Sequence, residues 1–301
     1  MQSLWSGYGE IARYASPRLK NTFIVKHISP PIEQVHPRGW NTQTSHQRKL
    51  KSYQVEANFY RDYASLCDEY CVVPKLLAEF SESQQQIIVL QDLDQAGFSL
   101  RREQVEMADV ILGIKWLAYF HARFLQQDSC DLSPVGTYWY LATRQDEFKV
   151  MQAGKLKDAA QAIDTALNSA RFQTLVHGDA KLANFCFPDD NGPNGLAAVD
   201  FQYVGNGVGV KDLAYFLGAC LNQDDLFRYE HVLFDEYFLQ FKNAIYHYQV
   251  EVDFTELQQE WRRLYSLAWA DFYRFLLGWS PNHYKINPYM QKQTDIALAS
   301  L

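Results

Sequence analysis

One stretch constrains this chain more than any other. It is Val176-His177-Gly178-Asp179-Ala180-Lys181-Leu182-Ala183-Asn184, followed by Val199-Asp200-Phe201-Gln202. A carboxylate, a carboxamide and a second carboxylate come in fixed order, with Asp200 sixteen residues after Asn184 and closing an apolar run. A fold that uses all three has to join a polar turn to the end of a short buried strand. Each piece alone has an ordinary reading, since Asp after His-Gly is a common turn residue and Asp200 could cap a strand. The argument rests on the coincidence of spacing, order and strand context.

The flanking sequence supplies two contrasting halves. Residues 3–8, 10–14, 22–28 and 85–90 read as strands, with 22–28 rich in β-branched and aromatic residues. Residues 17–21 read as a turn and 29–44 as a polar loop with Pro37, Gly39 and Asn41. Ser45 is a plausible N-cap for a helix reaching about Tyr63. From Glu103 onward the pattern is mostly helical. Met107, Val110, Ile111, Ile114, Leu117, Ala118, His121 and Phe124 fall on one face. Further helices are expected near 135–152, 155–170, 210–222, 225–248, 254–278 and 287–300, with capping-box character at Asp253-Phe254-Thr255-Glu256. Short strands at 174–176, 184–187 and 197–201 interrupt them. The expected fold class is α+β, in two lobes. Residues 1–92 form a small strand-rich N-lobe, and residues 93–301 a large, mainly helical C-lobe carrying the motifs.

Composition narrows the partners. A chain of 301 residues is comfortable for two lobes, and 15% aromatic residues predict thick aromatic packing. A net charge of −7 argues against a non-specific nucleic-acid binder, which needs a basic surface. Residues 1–90 hold ten Lys/Arg and eight Asp/Glu, a balance of +2, so the remainder carries −9. That excess reads as a solvated acidic face or as a funnel for a cationic substrate. Residues 1–14 show no apolar secretory core, and no run is long enough to span a bilayer, so a cytoplasmic protein without a membrane partner is expected. Five scattered cysteines (67, 71, 130, 186 and 220) read as reduced thiols rather than a zinc site.

The motif's chemistry is that of metal-assisted phosphoryl transfer. Asp179 is placed to accept a hydroxyl proton as a phosphoryl group arrives. Lys181 offsets developing charge on that group. Asn184 and Asp200 offer oxygens to Mg²⁺, Asp200 the stronger ligand because it is fully charged. His177 reads as a residue that orients the loop. The N-lobe adds Lys26, mid-strand in an apolar run, which must find an anion or snorkel. Glu56 on the following helix is its natural partner, and such a pair holds nucleotide phosphates. The alternative is an edge-strand Lys and a solvated Glu. Gly7 and Gly9 allow backbone amides near phosphates, or a plain hairpin turn. The backbone of Gln91, Asp92 and Leu93 is a candidate for bonding an adenine edge. ATP and Mg²⁺ are the expected cofactors.

These residues resemble the protein-kinase-like superfamily, in its small-molecule branch of aminoglycoside phosphotransferases, choline kinases and ecdysteroid-kinase-like proteins. The resemblance extends over Gly205-Asn206-Gly207-Val208-Gly209-Val210-Lys211-Asp212-Leu213, Trp5-Ser6-Gly7-Tyr8-Gly9 and Lys51-Ser52-Tyr53-Gln54-Val55-Glu56. It implies a catalytic base at Asp179, metal ligands at Asn184 and Asp200, a phosphate-clamping pair in Lys26 and Glu56, and a structural Asp212 that braces the catalytic loop. Departures exist. Gly178 stands where protein kinases usually have Arg, and Gln202 replaces the Gly of Asp-Phe-Gly. Eleven residues separate Asp200 from Asp212, leaving little room for a protein-substrate platform.

The expected activity is transfer of a phosphoryl group from ATP to a hydroxyl of a small molecule. The rivals are a non-catalytic nucleotide-binding module, nucleotidyl transfer on the same scaffold, and a protein kinase. For the acceptor pocket the candidates are Glu260, Trp261, Tyr265, Trp269, Asp271, Phe272, Arg274, Phe275 and Trp279. These aromatics with acidic neighbours could cage a quaternary ammonium, line a roomy site for a bulky alcohol, or be core.

Overall fold

The computed structural model describes residues 2–4, 7–16, 18, 21–30, 43–83, 85–190 and 192–301. Trp5 and Ser6 of the opening motif, most of the turn at 17–21 and the loop residues 31–42 lie outside the described residues. The chain divides into two compact units, Met1–Arg101 with Cys186–Gln202, and Arg102–Phe185 with Tyr203–Leu301. The α+β class read from the sequence is borne out, one unit being strand-rich and the other mainly helical.

The first unit is built on an antiparallel sheet of β1 (Gln2–Ser3), β2 (Gly9–Ser16), β3 (Asn21–Ile28), β4 (Leu76–Glu82) and β5 (Gln85–Gln91), in the order β1-β2-β3-β5-β4. β3 lies in the middle, with Lys26 opposite Ile11 on one side and Ile88 on the other. Alternation puts Lys26 and Ile28 inward on β3, and Gln86, Ile88 and Leu90 inward on β5. Helix α1 (Gln43–Asp62), free of Gly and Pro, buries Val55, Glu56, Phe59 and Tyr60. It begins no later than Gln43, so Ser45 lies inside its first turn instead of capping it.

β4 is absent from the sequence expectation because Leu76–Glu82 has no β-branched residue, leaves Leu77 and Phe80 exposed, and is broken by a register shift at Leu76/Ala78. The segment from Cys186 to Gln202 is stitched to this unit by backbone bonds. Phe187 exchanges two with Leu100, at 3.1 and 2.9 Å, and Ala198 N–H donates to Val72 at 3.0 Å. Leu93, Phe98, Cys186 and Ala197 form a small core there. The expected strand at 197–201 shortens to Ala197–Ala198.

The second unit centres on α2 (Met107–Arg123), whose start carries a reciprocal capping box between Glu106 and Asp109. It is buried over more than the one expected face, including Trp116, Tyr119 and Phe120, while Ile111 faces out. The expected helix at 135–152 does not form as one element. Gly136 N–H donates to Asn206 (2.7 Å) and Thr137 N–H to Tyr203 (3.1 Å), so these N–H groups are spent outside a helix, and Thr137 has φ 107°. Only a 3₁₀ turn at Leu141–Thr143 and a short α3 (Gln145–Val150) follow. The region 155–170 gives α4 (Lys155–Asp158) and α5 (Ala160–Asn168). Strand β6 (Thr174–Val176) pairs with Gly205–Gly207, a strand the glycines hide from a propensity reading. Helices α6 (Val210–Cys220), α7 (Gln223–Tyr248), α8 (Phe254–Trp279) and α9 (Pro288–Ser300) complete the unit. Asn222, Asp253 and Asn287 cap the last three, each accepting one backbone N–H.

Candidate active site

The site residues read from the sequence fall into two groups, one in each unit. In the first unit Lys26 Nζ donates to Glu56 Oε2 at 2.5 Å, with both side chains almost wholly buried. Lys26 also reaches Asp200 Oδ1 at 3.4 Å. Burial pulls the Lys26 ammonium down, but the charges of Glu56 and Asp200 outweigh it and hold its pKa above the ordinary value. Burial, with Asp200 adding to it, pushes Glu56 up to about 7 against the pull of Lys26.

Asp200 owes its position to its neighbours. Phe201 stacks on Phe59 of α1, ring centroids 3.9 Å apart, which anchors the motif on the helix that carries Glu56. Asp200 itself has φ 70°, an uncommon backbone region for a residue with a side chain. Gln202, noted in the sequence only as a departure, ties this group together. Its Nε2 donates to Asp200 Oδ1 at 2.5 Å, and its Oε1 accepts from Lys49 Nζ (2.9 Å) and Ser52 Oγ (3.2 Å).

The other first-unit candidates are engaged locally. Gly7 N–H donates to Leu4 (3.2 Å) and Leu4 N–H to Gly9 (2.8 Å), so Gly7-Tyr8-Gly9 is a tight turn. Gly9, at φ 134°, is required there, because a Cβ would collide with the carbonyl of His27. The Gln91 side chain accepts from Lys75 N–H at 3.3 Å. Asp92 is gripped by Arg13 Nε at 2.7 Å and Thr22 Oγ1 at 2.5 Å. Burial pushes its carboxyl up, yet those bonds outweigh the effect and leave its pKa below the ordinary value. The Leu93 carbonyl accepts from Ala96 and Phe98 N–H, each at 3.0 Å.

The second group is organised by Asp212. This carboxylate is fully buried in the first turn of α6 and accepts from His177 N–H (2.5 Å), Gly178 N–H (3.0 Å) and His121 Nε2 (3.1 Å). A carboxylate only accepts, so His121 donates from Nε2. Gly178 sits at φ 80°, where a Cβ would collide with the carbonyl of Tyr203. His177 is buried, and its Nδ1 accepts the N–H of Asp179 at 3.3 Å, in keeping with an orienting part.

Asp179 is 4% exposed and both its carboxylate oxygens are bonded. Oδ1 accepts from Tyr215 Oη at 2.9 Å; Oδ2 accepts from Lys181 Nζ at 2.7 Å and Asn184 Nδ2 at 3.1 Å. Asn184 Nδ2 also donates to the Asp179 carbonyl at 2.8 Å. Tyr215 escaped the sequence reading, although it lies three residues past Asp212 on the same helix. Burial, then the charge of Asp179, keep its hydroxyl protonated well beyond the ordinary tyrosine range.

Aromatic rings continue from Tyr215. Trp139 stacks on it at 4.9 Å and Phe272 meets it edge-on at 5.0 Å. Lys285 Nζ lies over the Tyr215 ring at 4.4 Å and the Phe272 ring at 5.8 Å. Burial pushes Lys285 down to about 8, with Asp179 opposing and Lys181 reinforcing the shift.

Most of the acceptor-pocket candidates on α8 turn out to be core. Trp261, Tyr265, Trp269 and Arg274 are buried. The Glu260 carboxylate caps the backbone N–H groups of Arg171 (2.9 Å) and Phe172 (3.0 Å). Asp271 is held by Trp139 Nε1 (3.1 Å) and Arg274 Nη2 (2.8 Å). The acidic groups proposed for a cation cage are therefore committed to packing.

Residues 138–250 match the ecdysteroid kinase-like family, which bears out the kinship read from the sequence. That span holds Asp179, Lys181, Asn184, Asp200 and Asp212, and excludes Lys26 and Glu56. No curated protein matches the sequence. Among solved structures, a microcompartment-associated aminopropanol kinase is 13% identical, covering 99% of this chain and 92% of its own, with a TM-score of 0.45. An ethanolamine kinase of Plasmodium vivax is 15% identical, covering 99% and 81%, with a TM-score of 0.47. An aminoglycoside phosphotransferase of Streptomyces rimosus, in complex with ADP and streptomycin, is 14% identical, covering 88% and 94%, with a TM-score of 0.45. Among the described residues no helix is long and apolar enough to cross a membrane.

Proposed function

We propose that this protein moves the terminal phosphoryl group of ATP, with Mg²⁺, to a hydroxyl of a small molecule. The observation that carries the reading is Asp179. It is a nearly buried carboxylate fixed at both oxygens by Tyr215, Lys181 and Asn184, on a turn that Asp212 locks through two backbone N–H groups. Such a group accepts the acceptor's hydroxyl proton without first having to reorient. Lys181, half exposed beside it, offsets charge on the transferring group.

The donor set fits a nucleotide and its metal. Lys26 is a desolvated ammonium held in place by Glu56, suited to phosphate oxygens. Asp200 in the first unit, and in the second the carboxamide oxygen of Asn184, whose nitrogen makes both its observed bonds, each offer the kind of hard oxygen donor that Mg²⁺ takes. When bound, the metal neutralises charge on the phosphate oxygens.

One observation favours a second reading, a nucleotide-binding module without transfer: Asp200 Oδ1 already accepts from Gln202 and Lys26. Thermal-shift titration with ATP, with and without Mg²⁺, followed by mass analysis of products across a panel of alcohols, separates the two. A product heavier by one phosphate supports transfer, and one heavier by AMP would replace it with nucleotidyl transfer. Metal-dependent binding with no product from any alcohol favours the module.

A further inference from the structure

The surroundings of Asp179 in the helical unit carry a charge that its reading as a base does not use. Lys285, on the loop between α8 and α9, lays its ammonium on the faces of Tyr215 and Phe272. Tyr215 is the residue whose hydroxyl bonds Asp179. Lys285 is half-buried, and among the described residues it makes no ion pair. Two rings compensate a desolvated ammonium only in part.

The acids that would pair with it or attract a cationic acceptor are occupied. Asp271 is bound to Trp139 and Arg274, and Glu260 to the backbone at Arg171 and Phe172. Lys181 adds a second positive charge on Asp179. Beyond Asp179 itself, the charged groups that stand out around Tyr215 are therefore two lysines set among aromatic rings.

We infer that the acceptor carries an anionic oxygen group, a carboxylate or a phosphate, and that Lys285 selects it. This rests on the proposed phosphoryl transfer and names its substrate class. The buried Tyr215 and Phe272 rings position the ammonium rather than contact the acceptor. The anion docks on the Lys285 ammonium, which leaves the hydroxyl for Asp179. Cationic amino alcohols are disfavoured by the same charge.

The test uses matched acceptors sharing one hydroxylated aromatic scaffold and differing in a side group: carboxylate, phosphate, neutral amide or amine. Transfer from ATP with Mg²⁺ is measured as kcat/KM for each. Binding of the same four compounds is measured by calorimetry. The unsubstituted protein should prefer one of the two anions over the amine by about tenfold or more. Which anion ranks first distinguishes carboxylate from phosphate recognition. Lys285→Met should bring the ratio near one, Lys285→Glu should invert it, and Lys285→Arg should retain it. A preference for the amine, or an anion preference unchanged in Lys285→Met, overturns the inference. Transfer to none of them or to any other alcohol would sink the phosphotransferase reading instead. The calorimetric ranking of anion against amine would still decide the role of Lys285.

Discussion

Asp212→Ala offers the sharpest test of how the catalytic turn is held. The carboxylate is fully buried and takes three hydrogen bonds, from His177 N–H, Gly178 N–H and His121 Nε2. Removing it leaves three donors in the interior without an acceptor. A bond to a charged partner contributes about 1.5–3 kcal/mol, so simple addition gives roughly 5–9 kcal/mol. Partial relaxation and entry of water reduce this. Loss of one member of a buried charged cluster usually costs about 3–5 kcal/mol. We expect a loss in that range, a large share of a total stability of about 5–15 kcal/mol. Asp212→Asn keeps one acceptor oxygen but turns an NH₂ toward a donor, and should lose about half as much. Urea unfolding followed by tryptophan fluorescence reads the relevant unit, since Trp116, Trp139, Trp261, Trp269 and Trp279 lie in the second unit. Transfer activity should fall in both variants, because Gly178 N–H and Asp179 are adjacent. A loss below about 1 kcal/mol for Asp212→Ala would refute the bracing argument.

Asp179→Ala should leave ATP binding largely intact by thermal shift while transfer drops by at least a hundredfold in a coupled assay. Lys26→Met should raise the ATP KM and lower stability by about 3–5 kcal/mol, because Glu56 is left buried without its cation; Glu56→Gln, which removes only a charge already pushed up to about 7, should be milder in the same unfolding assay. The preference for anionic acceptors should decline as pH rises through about 8. Lys285, whose titratable neighbours are Asp179, Lys181 and the Cys220 thiol, is an ammonium below that value and a neutral amine above it. A pH profile of the anion-to-amine ratio, compared with Lys285→Met, checks this, the variant showing no such step.

Much of the scaffold was legible because it obeys local rules. β3 shows its β-branched run, the caps of α7, α8 and α9 are Asn or Asp, and Asp179, Asn184 and Asp200 announce themselves by order. What stayed hidden depends on partners distant in sequence. Gly205–Gly207 is a strand only because β6 lies beside it, and residues 136–137 stay out of a helix because Asn206 and Tyr203 accept their N–H groups. β4 lacks the residues that mark strands and is held by pairing with β5. Tyr215 looks like one more aromatic on an apolar helix until its hydroxyl is seen on Asp179. Gln202 reads as the loss of a glycine; its carboxamide joins Asp200 to Lys49 and Ser52 of α1, a contact spanning about 150 residues.

The charge of the acceptor region shows most clearly why summed composition misleads. Residues 91–301 carry a net charge of −9, which suggests attraction of cations. A field at a site depends on which charges remain uncompensated close by, since interactions between exposed charges are screened over about 8–10 Å. Asp271 is paired with Arg274, and the carboxylates of Asp212 and Glu260 are engaged by backbone N–H donors. Other acids are exposed, as Asp224 and Glu251 are. Near Asp179 the opposing charges that persist are those of Lys181 and Lys285. An acidic chain thereby presents positive charge around its proposed base, and the sign that selects an acceptor is set by two lysines rather than by the excess of carboxylates elsewhere.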